Sequence, residues 1–515
     1  MRKTAVFHLV LLLGTLWLVA GCDDDSPTDG DADTDSDSDG DGDTDGDSDG
    51  DGDGDTGCQE DEQCSDDVFC NGAETCQDGE CVAGEPPGCD DGDDCTDDFC
   101  SDRTDECVHS TRDSDGDYHG DVACGGSDCD DSDPAINPEA PERQCNTIDD
   151  DCDGEIDEPT PLQLTEDGGY SFGASLVWTG TELGMAWADD FASPNEIHFT
   201  RLDVDGTFLM DPVAVSDTVI SVEPSLVWTG TEFAVAWQEG IQEGVNTKYR
   251  ITFARFSSTG SVAGSTPLTD GAFYARLPAL VWTGTEFAVT WSDSRPVEDS
   301  FHPYFNRLSS SGEILGEDLR MTENNTDLYT ETSIAWTGTE LAVVWTELVG
   351  GDYSIWFARI DSDGSMIDSP QRVLNVTGQF CVNPRIVRTG SGFGMTWSDG
   401  LGIYFARLTD DGELEGDTVV LSAEESDLTS AAAIVWTGTE FGIAWNDYRD
   451  YANDIYFTRL SPEGVELIDQ VAISHGPMDA VAPAIAWTGA EYAVVWSDFR
   501  FGNNELFYSR VCVPE

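Results

Sequence analysis

A phrase of fourteen residues recurs in seven copies along this chain of 515 residues. The second copy reads S-L-V-W-T-G-T-E-F-A-V-A-W-Q (Ser225–Gln238), and successive copies lie 48 to 54 residues apart. Repeats of about fifty residues with short alternating patterns are typical of β-propeller blades. The first Trp of each copy, which is replaced by Arg388 in the fifth, stands at Trp178, Trp228, Trp282, Trp336, Trp436 and Trp487.

Each copy has the pattern of a β-hairpin. Apolar residues alternate with other residues on both sides of a T-G-T-E turn, and this pattern predicts two antiparallel strands. A third strand of the type I-Y-F-A-R-L (Ile403–Leu408) and a shorter fourth strand follow before the next copy. We therefore predict an all-β fold, with residues 159–515 forming a seven-bladed β-propeller of four strands per blade.

The ends of the repeat array predict how the ring closes. The seventh copy ends at L-F-Y-S-R-V-C-V-P-E without a fourth strand, whereas an orphan strand (Pro161–Thr165) precedes the first copy. We expect the orphan strand to complete the last blade, because closure then leaves no sheet edge exposed.

The N-terminus has the pattern of an export signal, residues 1–21. Arg2 and Lys3 precede an apolar run, Ala5 to Ala20, that is too short for a stable membrane span. The run ends L-V-A-G-C-D and resembles a bacterial lipoprotein signal, in which Cys22 would be acylated, for example with palmitate. The resemblance implies an exported protein with a lipid anchor in the outer membrane or at the cell surface. The alternative is an ordinary signal peptide with a chance cysteine.

Residues 22–57 continue as an acidic spacer. Seventeen aspartates lie within Asp23–Gly57, which has no aromatic and no basic residue. Such a low-complexity segment cannot bury a core, so we predict a disordered linker that holds the folded parts away from the membrane.

Residues 58–110 form a cysteine-rich region. In an exported chain this density of cysteines indicates disulfides that replace a hydrophobic core. Zinc is the alternative, but His109 is the only nearby histidine. Acylation of Cys22 would leave fifteen of the sixteen cysteines, so one must stay free or pair outside its region, and Cys512 is a candidate for securing the ring closure. The nine cysteines of the region are Cys58, Cys64, Cys70, Cys76, Cys81, Cys89, Cys95, Cys100 and Cys107.

Residues 111–158 contain carboxylates at alternate positions around glycine turns. Carboxylate oxygens are the hard ligands that calcium prefers. The part from Asp149 to Ile156 follows the spacing of an EF-hand loop, although Thr160 replaces the bidentate glutamate of the twelfth position. The candidate metal ligands are Asp113, Asp115, Asp117, Asp121, Asp128, Asp130, Asp131, Asp133, Asp149, Asp151, Asp153 and Asp157.

Residues 111–158, which we call the metal segment, also resemble known motifs. The stretch D-S-D-G-D-Y-H-G-D (Asp113–Asp121) is similar to a thrombospondin type 3 loop. D-C-D-D-S-D-P-A-I-N-P-E-A-P-E and D-D-D-C-D-G-E-I-D-E resemble the metal-binding motif of the MopE type. That family is associated with copper, but these residues offer oxygen rather than imidazole or thioether ligands. We therefore expect calcium and not copper. The alternative is a solvated acidic loop held by disulfides among Cys124, Cys129, Cys145 and Cys152.

The formal net charge of −82 limits the classes of partner. A field of this sign repels nucleic acid and anionic lipid headgroups and favours divalent cations. We therefore expect no nucleic-acid binding.

Two charged positions recur in all seven copies. We expect them to form one charge pair per blade, either within the blade or to its neighbour, because catalysis needs one asymmetric site whereas a sevenfold feature indicates architecture. The alternative is a ring of ligands. The acids are Asp189, Glu239, Asp293, Glu347, Asp399, Asp447 and Asp498. The arginines of the third strands are Arg201, Arg255, Arg307, Arg359, Arg407, Arg459 and Arg510.

Function should therefore lie where the copies differ, above all in the loops between second and third strands. Aromatic and arginine residues there suit an extracellular protein or glycan. The alternative for the arginines is that they brace their own loops. The candidate binding face is Phe191, Arg295, Tyr448, Arg449, Tyr451, Phe499, Arg500 and Phe501.

The sequence contains no H-E-x-x-H motif, phosphate loop or sialidase Asp-box. We therefore predict a non-catalytic recognition head. Two alternatives stay open. One is a glycosidase with two carboxylates in the central funnel, since such a pair has no sequence signature. The other is a purely structural surface protein.

Overall fold

The computed structural model describes residues 57–512 apart from 141, 143–147, 155–160, 167, 191–194, 217–219, 244–245, 296–299, 323–330, 350–351, 377–380, 401, 423–431, 450–451, 475 and 477. The described residues contain 32 β-strands and three 3₁₀ helices of three residues each. None of their helices has the length and apolar character needed to cross a membrane. The predicted export signal, Cys22 and most of the acidic segment predicted to be a spacer lie outside the described residues.

The described residues divide into two compact units. The first comprises 57–88 and 100–106 and is held by the disulfides Cys58–Cys76, Cys64–Cys81 and Cys70–Cys100. Its regular elements are η1 (Asp61–Gln63), η2 (Phe69–Asn71) and the hairpin β1 (Thr75–Gln77) with β2 (Glu80–Val82). The prediction that disulfides replace a core in this region is confirmed.

The second unit comprises 89–99 and 107–512. It begins with three further disulfides, Cys89–Cys107, Cys95–Cys124 and Cys129–Cys152. The expectation that Cys124 pairs within its own segment is therefore wrong. An odd number of cysteines in the cysteine-rich region leaves one without a local partner, and Cys95 pairs with Cys124 instead. The elements here are η3 (Val122–Cys124) and most of β3 (Thr96–Ser101) and β4 (Glu106–Thr111), whose residues 100–101 and 106 belong to the first unit.

Two of the remaining cysteines, Cys381 and Cys512, explain part of the odd number of cysteines. Cys381 is free and fully buried, and burial raises the pKa of its thiol to about 12. Such a thiol is unreactive at neutral pH. Cys512 is disulfide-bonded, and its partner lies outside the described residues, as does Cys145.

Seven four-stranded antiparallel sheets follow, each a blade with its first strand innermost. Strand β5 (Leu162–Gln163) precedes them. Blade 1 contains β6 (Ser171–Trp178), β7 (Leu183–Asp189), β8 (Glu196–Leu202) and β9 (Val213–Ala214). Blade 2 contains β10 (Ser221–Trp228), β11 (Phe233–Glu243), β12 (Asn246–Phe256) and β13 (Val262–Pro267). Blade 3 contains β14 (Ala275–Trp282), β15 (Glu286–Asp293), β16 (His302–Ser309) and β17 (Ile314–Arg320).

The remaining blades follow the same order. Blade 4 contains β18 (Thr332–Trp336), β19 (Glu340–Val349), β20 (Asp352–Asp361) and β21 (Gln371–Val376). Blade 5 contains β22 (Val382–Arg388), β23 (Phe393–Ser398), β24 (Ile403–Leu408) and β25 (Leu414–Val420). Blade 6 contains β26 (Ala432–Trp436), β27 (Phe441–Arg449), β28 (Ala452–Leu460) and β29 (Val471–Ala472). Blade 7 contains β30 (Ala480–Trp487), β31 (Tyr492–Asp498), β32 (Glu505–Val511) and β5.

The first strands form a closed ring, in which each contacts the first strand of the next blade and β30 contacts β6. The side chain of a serine in the middle of this strand links neighbouring blades: Ser175 Oγ accepts from Leu226 N at 3.0 Å, and Ser225 Oγ accepts from Leu280 N at 3.0 Å. The second strands are almost wholly buried between the blades. The predicted seven-bladed all-β propeller is confirmed.

Strand β5 closes the ring as predicted. Gln163 pairs with Phe507 and Leu162 with Tyr508, while Leu164 N donates to Leu506 O at 2.8 Å. Thr165 Oγ1 accepts from Leu506 N at 2.9 Å. The outer edge of β32 is therefore covered by the segment that begins the array.

The predicted charge pair between the two recurring positions is wrong. In blade 1, Arg201 lies opposite Gly184 whereas Asp189 lies opposite Glu196, so five residues of strand, about 17 Å, separate the two charges. Each arginine instead pairs with the glutamate of the T-G-T-E turn, except in blade 5, where Gly392 takes that glutamate's place and Arg407 contacts Glu415. The six pairs are Arg201–Glu182, Arg255–Glu232, Arg307–Glu286, Arg359–Glu340, Arg459–Glu440 and Arg510–Glu491.

The recurring acid has another structural role. In five blades it accepts a hydrogen bond from the indole N–H of the Trp two residues earlier, at 2.9 to 3.4 Å. A buried indole needs such a partner. Both recurring charges therefore serve the architecture of the blades.

Candidate functional site

The metal segment brings three carboxylates together. One oxygen of each of Asp113, Asp115 and Asp117 lies within 4.8 Å of the others. The loop turns at Gly116, whose φ of +85° favours glycine. The N–H groups of Gly116 and Tyr118 donate to the two oxygens of Asp113 at 2.7 and 3.0 Å. These bonds hold the Asp113 carboxylate toward the inside of the turn.

Asp128 lies near this cluster and interacts electrostatically with Asp115 and Asp117. It is fully buried, and its backbone is fixed by Asp128 N donating to Gly120 O at 2.9 Å. Asp128 Oδ2 and Asp115 Oδ2 are buried and have no hydrogen-bond partner among the described residues. Burial, with a further contribution from Asp117, raises the pKa of both carboxyls. Unpaired buried oxygens among like charges are what a bound cation would stabilise.

A second cluster in this segment contains Glu142, Asp149 and Asp151. Asp149 accepts from Asp153 N and Gly154 N, both at 3.1 Å, as in a cation-binding turn. Three other candidate ligands stabilise local turns: Asp121 Oδ1 accepts from Ala123 N, Asp130 Oδ1 from Ser132 Oγ, and Asp133 Oδ1 from Ala135 N. Asp131 Oδ1 accepts from Ser114 N and so links its segment to the Asp113 loop. Asp157 and Thr160 lie outside the described residues.

Among the described residues, the acidic cluster that includes a nitrogen ligand lies outside the metal segment. His109 Nδ1 lies 2.6 Å from Asp98 Oδ1 and 3.5 Å from Asp91 Oδ2. The hydrogen bond with Asp98 raises the pKa of His109, which favours the protonated ring that cannot bind a metal. The clusters at Asp113 and at Asp149 offer oxygen ligands alone, which suit a hard divalent cation.

The propeller has a cavity of about 400 Å³ at its centre, lined by the first strands of all seven blades. Its walls are mostly Gly, Ala, Ser, Pro, Leu and Ile. Of the lining residues that the structure describes, three carry a charge: Glu223 in blade 2, Glu331 before the first strand of blade 4, and Arg385 in blade 5. Glu223 and Glu331 stand at the same position of the repeat, each five residues before the first Trp of its copy. This cluster was not named from the sequence, because only a repeat-by-repeat comparison of the first strands could have exposed it.

A β-bulge directs Glu223 into the cavity. The register of β10 with β11 shifts between Val222 and Ser225, and Glu223 has a φ of +56°, in the left-handed region. Gly173 has the same position and a φ of +64° in blade 1. The bulge breaks the alternation of the strand and turns this side chain toward the axis of the ring.

The three charges are unequally paired. Arg385 Nη1 donates to Glu331 Oε2 at 2.8 Å and to Pro384 O at 3.2 Å. Glu223 is exposed to the cavity, but the surrounding strands desolvate it and Glu331 repels it, which raises its pKa. The cavity therefore keeps one carboxylate that no arginine neutralises directly.

The cavity residues lie at the same end of the ring as the loops between second and third strands. In blade 2, the start of the first strand pairs with the end of the second, Ser221 with Glu239. The same pairing joins Ala480 to Asp498 in blade 7. We call this end of the propeller the loop end.

Two arginines of the candidate binding face brace their own loops. Arg295 contacts Asp293 at 2.9 Å and Asp318 at 2.7 Å and stacks over Tyr304. Arg500 forms two bonds with Asp498, at 3.0 and 2.6 Å, and stacks over Phe507. The sequence alternative, a structural role, holds for both.

The other candidate face residues differ in exposure. Phe501 is 65% exposed, whereas Tyr448 and Phe499 are half-buried. Phe191, Tyr451 and the side chain of Arg449 lie outside what the structure describes. Two exposed apolar residues of the loop end were missed, Tyr170 (46% exposed) and Met478 (49%). They stand alone in loops between blades, where no repeat pattern marks them.

We expect Arg500→Ala to destabilise the propeller by about 3 kcal/mol, because the Asp498 carboxylate, 1% exposed, would lose its ion-pair partner. Urea unfolding followed by tryptophan fluorescence measures this. The matched control Phe501→Ala, in the same loop, should change the free energy of unfolding by less than about 0.5 kcal/mol. An equally small effect of both changes would show that Arg500 is not structural.

One part of the chain matches a known family model. Residues 128–158 match the family model Cu-binding MopE, described as "Putative metal-binding motif". No curated protein sequence matches the chain. The fold and the motif together define a seven-bladed β-propeller protein with a MopE-type metal-binding motif and a disulfide-rich segment before it.

Solved structures share the propeller architecture at very low identity. The acylaminoacyl peptidase of Pyrococcus horikoshii is 10% identical with a TM-score of 0.41, over 67% of this chain and 52% of that one. An ulvan lyase of polysaccharide lyase family PL25 is 8% identical with a TM-score of 0.48, over 68% and 96%. A Trypanosoma rangeli sialidase is 10% identical with a TM-score of 0.39, over 68% and 59%. The chain thus spans about half the length of the peptidase, and the likeness concerns the fold.

Proposed function

We propose that this protein is an exported, lipid-anchored recognition protein whose propeller binds an extracellular protein at its loop end. The neck, residues 58–158, would carry the propeller and be stabilised by calcium. The observation that supports recognition most directly is a group of exposed apolar side chains at the loop end: Tyr170, Met478 and Phe501.

These three side chains stand on segments that are hydrogen-bonded to one another. Ser171 N donates to Asn504 O at 2.7 Å, and Phe499 N donates to Asp479 O at 3.0 Å. Asn503 Nδ2 donates to Gly169 O at 3.2 Å. The β31–β32 loop therefore fixes the positions of Tyr170 and Met478 beside Phe501. We call these three residues the apolar patch.

The composition of the apolar patch favours a protein partner. Aromatic residues and methionine are enriched in protein–protein interfaces. The chain as a whole is strongly acidic, with a formal net charge of −82, whereas the patch itself carries no charge. The sevenfold charges offer no competing site, because they are engaged in pairs within the blades.

Calcium is the proposed cation of the neck. The cluster of Asp113, Asp115 and Asp117 and the nearby Asp128 supply hard oxygen ligands, and two of their oxygens are buried without a partner among the described residues. When bound, calcium would neutralise the repulsion among these carboxylates. Copper would require nitrogen or sulfur ligands, which this cluster lacks.

The proposal can be tested with the Cys22→Ala variant. We expect it to be released from the envelope, because the resemblance to a lipoprotein signal places the acyl chains on Cys22. The released protein, labelled with a fluorophore, then serves as a probe on arrays of extracellular proteins and of glycans. It should bind proteins, and the double change Met478→Ala and Phe501→Ala should lower that binding at least about tenfold.

The matched control is Val465→Ala. Val465 is 61% exposed in the turn after β28, at the opposite end of the ring. This change should leave binding intact. Retention of Cys22→Ala in the membrane would contradict the proposed lipid anchor at Cys22. Binding to glycans alone would show that the partner is a glycan and not a protein.

A second candidate function is glycoside hydrolysis in the central cavity. The observation that favours it is a pair of carboxylates in different environments: Glu331 beside Arg385, and Glu223 with a raised pKa. Two carboxyls in different surroundings can serve as base and acid in such a reaction. Release of sugar from labelled glycosides, lost in Glu223→Gln, would assign the protein to the enzymes.

A further inference from the structure

The charges of the central cavity are unexplained by the repeat. Glu223 and Glu331 occupy a position where other blades have Gly173, Leu277, Asn383 and Ala482. Arg385 replaces the serine or alanine that stands at the same place in the other six blades. Blades 1, 3, 6 and 7 form the same four-stranded sheets without these charges, so a blade does not need them to fold.

Two of the three charges neutralise each other. Arg385 Nη1 and Glu331 Oε2 are 2.8 Å apart. The guanidinium beside Glu331 opposes a metal ion at that carboxylate, because two cations would then share one anion. Glu223 is different, since it accepts no hydrogen bond from any other residue that the structure describes. It therefore remains the open negative charge of the cavity.

The walls of the cavity indicate which ligand could meet this charge. The lining residues that the structure describes include no aromatic ring, so they offer a sugar no stacking platform. An anionic ligand would be repelled by Glu223 and by the acidic field of the whole chain. A slender chain that ends in a cationic group would bury its methylenes against Ala, Pro and Leu and place the charge at Glu223.

We propose that Glu223 is the counter-ion for a lysine or arginine side chain of the protein partner, which enters the central cavity from the loop end. This inference rests on the proposed function and specifies the partner's chemistry. The partner would place an apolar surface on the apolar patch and one basic side chain in the cavity.

The test uses two peptides that differ in one charge. Acetyl-Gly-Lys-Gly-amide and the same peptide with norleucine in place of lysine are titrated into the released Cys22→Ala protein, with binding followed by calorimetry. The lysine peptide should bind about tenfold more tightly than the norleucine peptide, a difference of about 1.4 kcal/mol. Glu223→Gln should abolish that difference.

Two further variants make the outcome specific. Asp417→Asn removes the same charge from an exposed place on β25 and should leave the lysine preference unchanged. Glu223→Gly places at the bulge the residue that blade 1 already has there, so the fold should tolerate it while the preference disappears. Lysine binding should also weaken as the pH is lowered, because Glu223, which faces Glu331 and Arg385, would become neutral.

Equal binding of the two peptides, or a lysine preference that survives in Glu223→Gly, would overturn the inference. The proposed recognition function would then still be tested by the effect of the apolar-patch variants on protein binding. Loss of partner binding in the patch variants, with an unchanged lysine preference, would separate the two sites.

Discussion

Deleting Pro161–Thr165 is expected to cause the propeller to aggregate. The deletion removes the strand that pairs with Phe507 and Tyr508 and exposes the outer edge of β32. Leu164, 8% exposed, would also leave its buried place, at a cost of about 2 kcal/mol. Unpaired backbone groups along a hydrophobic strand template association with other chains. The soluble fraction after expression, and light scattering during heating, measure the effect.

The control is a deletion of the same length in the acidic spacer, residues 41–45. We expect it to leave solubility and the midpoint of unfolding unchanged, because the aspartates there have no core to support. If both deletions acted alike, the loss of solubility would come from shortening the chain, and β5 would not be the closing strand.

Removal of calcium is expected to make the metal segment, residues 111–158, sensitive to proteases. Asp113, Asp115, Asp117 and Asp128 would then repel one another at close range, with two oxygens buried and unpartnered. Limited proteolysis with and without a calcium chelator, read by mass spectrometry, locates the cleavages. Fragments cut at the Asp113 loop should stay joined through Cys95–Cys124, and fragments cut between residues 129 and 152 through Cys129–Cys152, until these disulfides are reduced.

Asp128→Asn provides the matched variant for this experiment, because it keeps the shape of the side chain and removes its charge. It should raise the calcium concentration that gives half protection by at least about tenfold, while Asp417→Asn on β25 should not. Thermal unfolding of the propeller should be nearly the same in all cases. Copper without calcium, found by elemental analysis of protein purified without chelator, would contradict the assignment of the ion.

The sequence predicted the features that depend on local pattern and on repetition. Period-two alternation with glycine turns was sufficient for the blades, and their spacing was sufficient for the count of seven. The orphan strand could be assigned to the last blade because closure is the general solution to an exposed sheet edge. The motif at 128–158 was recognisable because its carboxylates and cysteines are contiguous in the chain.

Pairings across the sheets required the tertiary structure. Arg201 and Asp189 recur together in sequence, but antiparallel register places the arginine beside the Glu182 turn and the acid at the other end of the strand. Likewise, Arg500 resembles a surface contact residue in sequence, whereas folding packs it onto Asp498 and Phe507. Strand register and cross-link partners depend on contacts that local pattern does not encode.

The candidate sites show the same division. The sequence alone determined the kind of fold, the acidic character and the oxygen ligands of the metal segment. Only the tertiary structure brought Asp128 to the loop at Asp113, and Glu223, Glu331 and Arg385 from three blades into one cavity. The physical reason is distance along the chain: 108 residues separate Glu223 from Glu331. Their meeting depends on closure of the ring, which places all seven first strands around a single axis.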